Sequence, residues 1–244
     1  MSIELTPIPL GLFWVPGGDL AKYETRVRAP YVVCAYLLRH PEGTVLFDTG
    51  IVGDAEAVRR YTPRTFQLEE QLAAAGAALG DIDVVVNCHL HADHAGGNHL
   101  FAGTPIVVQR REVEAALDSD YTVRGAAVDF PGVSLQVVDG RHELMAGVTV
   151  VPTLGHSPGH QSLLISGMAE GTVLLAGQAF DQASDYALAD LAVRLGASDL
   201  DVTAPDWMDE LRHVDTAYFA HDLTRWQPPT ATFTGTDALA AWPD

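Results

Sequence analysis

Cysteine is nearly absent: Cys34 and Cys88 are the only two in 244 residues. Each sits in an apolar, strand-like run, the ordinary place for a small buried thiol, and two such residues exclude a disulfide framework. Basic side chains are scarce as well, 14 Lys and Arg against 32 Asp and Glu, for a formal charge of -18. A field of that sign repels phosphate backbones and anionic bilayers, so nucleic-acid and membrane-surface functions are set aside. No apolar run approaches the roughly 18 residues that cross a bilayer. The opening stretch, Met1 to Pro7, lacks the basic start and apolar core of a secretory signal. Repeats, low-complexity tracts and linkers are missing too. The expectation is a soluble cytoplasmic protein, residues 1–244 forming a single α/β domain, with 48% apolar residues to build its core.

The first half alternates strand-like and helix-like stretches. Residues 31–38 are rich in β-formers, Pro41-Glu42-Gly43 makes a turn, and residues 44–47 resume, predicting a hairpin that ends at Asp48-Thr49-Gly50. Phe66, Leu68, Leu72 and Ala75 fall at near-helical spacing, predicting a helix over 65–75 that Gly76 stops. Strands are predicted over 82–86 and 104–109, with a helix over 111–117. Further strands follow over 133–138, 147–151, 161–165 and 172–175, then a helix over 207–214 and a strand over 217–220. The tail through Trp226-Gln227-Pro228-Pro229 is expected to be irregular.

The densest chemistry is His89-Leu90-His91-Ala92-Asp93-His94, directly after the strand over 82–86. In extended backbone His89 and His91 point to one side, and a turn through Ala92 brings Asp93 and His94 round to the same cavity. Gly96 and Gly97 let the chain turn tightly behind them. A lone histidine is usually a packing residue, but four donors at this spacing suit a metal ion. Alternation turns Cys88 away from His89 and His91. Two more histidines stand where strands end: His156, inside Gly155-His156-Ser157-Pro158-Gly159-His160, and His221. They complete two ligand sets, His89, His91 and His156 for one ion, and Asp93, His94 and His221 for another. His160 is expected to support its loop, and His40, His99, His142 and His213 to be surface or packing residues.

These motifs, with Thr104 to Arg110, Gly155 to Leu163 and the strand end Leu46-Phe47-Asp48-Thr49-Gly50, resemble the metallo-β-lactamase-fold hydrolases, and among them the N-acyl homoserine lactonases. The resemblance runs from about Ile8 to Asp222. It implies a four-layer αβ/βα sandwich with two mixed β-sheets, and two divalent metal ions in a cleft at one sheet edge. Zinc is the expected metal; iron, manganese and cobalt suit the same donors. It implies the opening of a small-molecule lactone ring, by hydroxide from a water that the ions acidify, with Asp93 as the catalytic group that returns a proton to the ring oxygen. Asp48 and Asp222 are then expected to orient ligand histidines from behind. A homodimer also fits the resemblance.

One position departs from the family pattern. After the strand over 172–175 the resemblance calls for an aspartate that bridges the two ions, and this chain has Gln178. A carboxamide oxygen coordinates without bringing charge, so the second ion is expected to be held more weakly unless a nearby carboxylate substitutes. Asp181 is the nearest candidate, ahead of Asp185. A substrate-facing tyrosine usual at the position of Asp181 is missing, leaving Tyr186 to replace it or its hydrogen bond to be lost. Phe13, Trp14 and Tyr23 are candidates for an acyl-chain pocket, for core or for a dimer interface. Two alternative functions remain: a thioesterase of the glyoxalase II kind, and a non-catalytic protein that binds metal and lactone without turnover.

Overall fold

The computed structural model describes residues 2–16, 28–51, 62–118, 122–196 and 204–228. Tyr23 and Pro229, assigned above to an aromatic pocket and to the irregular tail, lie outside the described residues. The predicted hairpin is formed by β2 (Arg28–His40) and β3 (Gly43–Phe47), with Tyr36 opposite Phe47 and His40 opposite Gly43. On its far side β2 pairs with the long β1 (Glu4–Pro16), and β4 (Arg64–Thr65) adds a short edge at Gly11 and Leu12. From β3 the sheet continues in parallel through β5 (Val84–Val86), β6 (Pro105–Gln109) and β7 (Ser134–Val138). The order is β4-β1-β2-β3-β5-β6-β7.

A second mixed sheet has the order β12-β11-β10-β9-β8. Its strands are β8 (His142–Met145), β9 (Val148–Pro152), β10 (Gln161–Met168), β11 (Gly171–Leu175) and β12 (Thr216–Tyr218), with only β11 and β12 parallel. Alternation along each strand decides which layer a side chain enters. Val84 and Val86 join Tyr36, Phe47 and Val107 against Val150, Leu163, Ile165 and Leu175 of the second sheet, so the two sheets face each other across one core. Val85, Leu37, Leu46 and Ile106 point the other way, onto Leu68 and Leu72 of α1 (Leu68–Ala74). The second sheet's outer face carries Val151, Leu164 and Leu174, covered by Tyr186 and Ala189 of α4 (Ala183–Leu195) and by Met208 of α5 (Trp207–Glu210). Two shorter helices, α2 (Arg110–Leu117) and α3 (Arg124–Ala127), enclose a satellite core around Leu90, Val108, Ala116 and Ala127. Helices outside two facing sheets give the four layers expected. Among the described residues no helix is long and apolar enough to cross a membrane.

Several elements depart from the sequence reading, the short β4 and α3 among them. β1 is unpredicted because Pro7, Pro9 and Gly11 read as breakers; the strand absorbs them by a register shift between Pro9 and Gly11. α4 is unpredicted because the face it buries is mostly Ala183, Ala189 and Ala192, too small to produce an apolar period. β8, with its half-exposed alternation, is also unpredicted. The helix expected over 207–214 stops at Glu210, and the tail is tied back by a bridge between Trp226 and Ala217.

Leu46 is fully buried in a central strand of the first sheet. Leu46→Ala is expected to cost about 2–5 kcal/mol, read as a lower urea midpoint. Leu188→Ala, on the exposed face of α4, is expected to stay within about 0.5 kcal/mol of the unaltered protein.

Candidate metal centre

Strands β3, β5, β9, β11 and β12 all end at the same edge of the sandwich, and each hands the chain to a loop that carries polar side chains. Backbone hydrogen bonds stitch these loops together: Asp48 N–H donates to Val86 O at 2.9 Å, Thr49 N–H to His94 O at 2.7 Å, Gln161 N–H to Cys88 O at 2.8 Å and Ala220 N–H to Gly177 O at 2.9 Å. Asn98, buried at the end of the Gly96-Gly97 turn, donates to Asn87 Oδ1 at 2.8 Å and accepts from Thr49 Oγ1 at 2.9 Å. The turn after His94 is therefore locked to the strands on either side. Gly177 (φ +59°) needs its missing side chain: a Cβ there would lie 2.4 Å from the Cβ of Cys88.

The six expected ligands converge as two sets of three. In one, His89 Nε2 and His156 Nε2 lie 2.8 Å and 3.2 Å from His91 Nδ1. In the other, Asp93 Oδ2 lies 3.5 Å from His94 Nε2 and 3.4 Å from His221 Nε2, and these two nitrogens are 3.2 Å apart. Within each set all three donor atoms fall within 4.8 Å of one another. His221 Nδ1–H donates to Val32 O at 2.7 Å, and His94 Nδ1–H to Asp48 Oδ2 at 2.9 Å. Both inward Nε2 atoms thereby face each other and the Asp93 carboxylate. Two ring nitrogens and a carboxylate oxygen gathered this closely are ligand atoms that one cation can share, so the donor set fits a metal ion. Tetrahedral zinc at about 2.0–2.1 Å from nitrogen sets its ligands about 3.3 Å apart, close to the spacings found.

The electrostatics set His94 apart from the other four histidines. Burial holds His89, His91, His156 and His221 below the usual histidine range, reinforced by neighbouring histidines, with His156 near 4; all four keep a lone pair at neutral pH. Burial also opposes charge on His94, but Cys88, Asp93 and Asp48 together outweigh it and raise its pKa. Burial works against the charge of Asp93 too; His94, His221 and His91 more than offset it, so the group stays ionised. Gln178 belongs to the same cluster, its Oε1 3.1 Å from His94 Nε2 and its Nε2 donating to Asp181 Oδ1 at 3.1 Å.

Asp48 stands behind a ligand histidine as expected and accepts from Cys88 N–H at 2.8 Å besides. Asp222 does not: its two oxygens take backbone N–H groups, Ala183 at 3.0 Å and Thr224 at 2.8 Å, so it ties the start of α4 to the loop after β12. Tyr186 does not reach the cluster either, being buried against Phe180, Phe219 and Trp226. His160 supports its loop, with Nδ1 on Thr153 Oγ1 at 2.8 Å and Nε2 accepting from Gln178 N–H at 3.2 Å. Cys88 does not stay clear of His89 as alternation led one to expect: its Sγ sits 3.1 Å from His89 Nδ1, 3.3 Å from His94 Nδ1 and 3.1 Å from Asp48 Oδ2; burial pushes its thiol up to about 12. Phe13 packs edge-on against His221 with ring centres 5.4 Å apart, and Trp14 is 36% exposed.

Sequence reasoning missed Glu112. This carboxylate is fully buried and joins the two loops that carry His89, His91 and His156: Leu90 N–H donates to Oε1 at 2.8 Å, and Ser157 Oγ and Gly159 N–H donate to Oε2 at 2.7 Å and 2.9 Å. Gly159 makes the approach possible, since a Cβ there would lie 2.3 Å from Glu112 N. The available signal is a carboxylate on the face of α2 that also buries Ala116. Glu112→Gln turns one acceptor toward N–H or O–H groups into a donor, so it is expected to cost about 1–3 kcal/mol in urea unfolding. Zinc bound per chain at limiting metal should fall with it.

The family model described as Metallo-beta-lactamase superfamily matches residues 28–219. An N-acyl homoserine lactonase from Bacillus sp is 38% identical over 185 residues, 67% of this chain and 73% of that protein. An N-acyl homoserine lactonase from Bacillus thuringiensis is 38% identical over 156 residues, 59% of this chain, and the match spans 62% of that protein's length. Among solved structures, an N-acyl homoserine lactone hydrolase with the product N-hexanoyl-L-homoserine at its catalytic metal centre superposes with a TM-score of 0.74 at 27% identity, covering 91% of this chain and 95% of the other. The chain thus belongs to the metallo-beta-lactamase superfamily and, within it, is similar to the N-acyl homoserine lactonases.

Proposed function

We propose that this protein is a metal-dependent hydrolase that opens the lactone ring of N-acyl homoserine lactones, a quorum-quenching activity. The observation that carries the reading is the pair of converging ligand sets, each with three potential ligand atoms within 4.8 Å of one another. The relatives' names supply the substrate class. His89, His91 and His156 would hold one divalent ion, and Asp93, His94 and His221 the other, with zinc the metal that best suits their donors. Bound there, such ions supply Lewis acidity, which activates a water near neutral pH and draws electron density from the substrate carbonyl.

The protein's own residues do the rest. Asp48 and the Val32 carbonyl hold the His94 and His221 rings in the tautomer that turns Nε2 inward. Asp93, with 19% of its side chain still accessible, is the carboxylate that reaches the open side of the cluster. Because its neighbours keep it ionised, it takes a proton from the attacking water and returns it to the ring oxygen as the C–O bond breaks. Phe13 and Tyr31, stacked with ring centres 5.9 Å apart and buried beside His221, brace that ring from the core side.

Purified protein should release about one proton per molecule of lactone consumed with both a short-chain and a long-chain N-acyl homoserine lactone, lose this activity to a chelator and regain it with zinc. Turnover of a thioester with no lactone opening would replace this reading with the thioesterase one. Tight metal and lactone binding without proton release would make it a binding protein.

A further inference from the structure

Gln178 faces the Asp93, His94 and His221 set with a neutral amide, and its surroundings repeat a pattern found at His94. The His94 ring turns Nε2 inward and donates Nδ1–H to the carboxylate of Asp48 at 2.9 Å. The Gln178 amide turns Oε1 inward, 3.1 Å from His94 Nε2, and donates Nε2–H to the carboxylate of Asp181 at 3.1 Å. A carboxylate only accepts, so Asp181 dictates which end of the amide faces the cluster. The other oxygen of Asp181 takes the hydroxyl of Tyr31 at 3.3 Å. Tyr31 is itself fixed: it is buried, stacked on Phe13 and set edge-on to His221, and the next residue, Val32, accepts from His221 Nδ1. The start of β2 therefore positions both His221 and Asp181.

We infer that Gln178 and Asp181 act together as one composite metal ligand: Gln178 Oε1 coordinates the ion of the Asp93, His94 and His221 set, and Asp181, held by Tyr31, is the positioning residue behind it. A hydrogen bond from an amide N–H to a carboxylate shifts electron density toward the amide oxygen, so Asp181 supplies through Gln178 part of the negative charge that a direct carboxylate would bring. The pair thus answers the charge deficit at a position where a neutral side chain faces a dication. This inference rests on the metal reading above and extends it to a residue that touches neither ion.

The test is calorimetric zinc titration of metal-stripped protein, without substrate, for the unaltered chain and two variants. Asp181→Asn keeps an acceptor oxygen and removes the charge; it should weaken one of the two zinc equivalents about 10-fold or more and leave the other within a factor of about three. Gln178→Glu combined with Asp181→Asn moves the same charge inward by one side chain and should restore the weakened equivalent. Two unaltered equivalents in Asp181→Asn, equal weakening of both with a lowered melting temperature, or a double variant no better than the single one would overturn the composite ligand while leaving the metal reading intact. Zinc uptake by none of the three proteins, the unaltered one included, would overturn both.

Discussion

The structure is organised around a crowding of polar atoms. Five histidines and an aspartate bring ring nitrogens and a carboxylate oxygen to within 2.8–3.5 Å of one another at one edge of the sandwich. Holding them there is costly, most of all at His89, His94 and His221, which are buried where water cannot compensate. What keeps them together is a set of hydrogen bonds made from behind: Asp48 on His94, Val32 O on His221, Glu112 on the loops flanking His91 and His156. Each of these fixes a ring or a loop so that its free electron pair has one direction to face. A cation at the convergence turns the cost into binding energy, which makes the same groups the basis of both local stability and chemistry.

The sheets exist, from this standpoint, to deliver the loops. Parallel strands β3, β5 and β6 end at one level, and β9, β11 and β12 of the facing sheet end at the same edge. The apolar core between the sheets, from Tyr36 and Phe47 to Leu163 and Leu175, sets the separation of the two rows of strand ends. His89, His91, Asp93 and His94 come from the first sheet; His156 and His221 come from the second. Neither sheet alone brings together all three residues of either set, so the proposed centre needs both sheets packed.

Much of the site is legible in the sequence because its residues are chemically unusual and closely spaced. His89 to His94 needs no tertiary information, and His156 and His221 stand out once strands are seen to end before them. Asp48 is legible for the same reason. The groups behind the ligands are not, since they are common residues whose meaning comes from long-range contact: Glu112 lies 22 residues from Leu90 and 45 from Ser157, and Tyr31 lies 150 from Asp181. Asp222 resembled Asp48 as a strand-end carboxylate and caps a helix instead, a difference that only the path of the chain after β12 decides. The fold was read through its apolar periods, and failed where proline or alanine hid them, in β1 and in α4.

The proposed function requires the two ligand sets to be the two halves of one dinuclear centre. Crystals grown with zinc and measured on both sides of the zinc absorption edge test this most directly. Two anomalous peaks are predicted, one bonded to His89, His91 and His156 and the other to Asp93, His94 and His221. A peak among Cys88, His89 and His160, or no peak at either set, would contradict it.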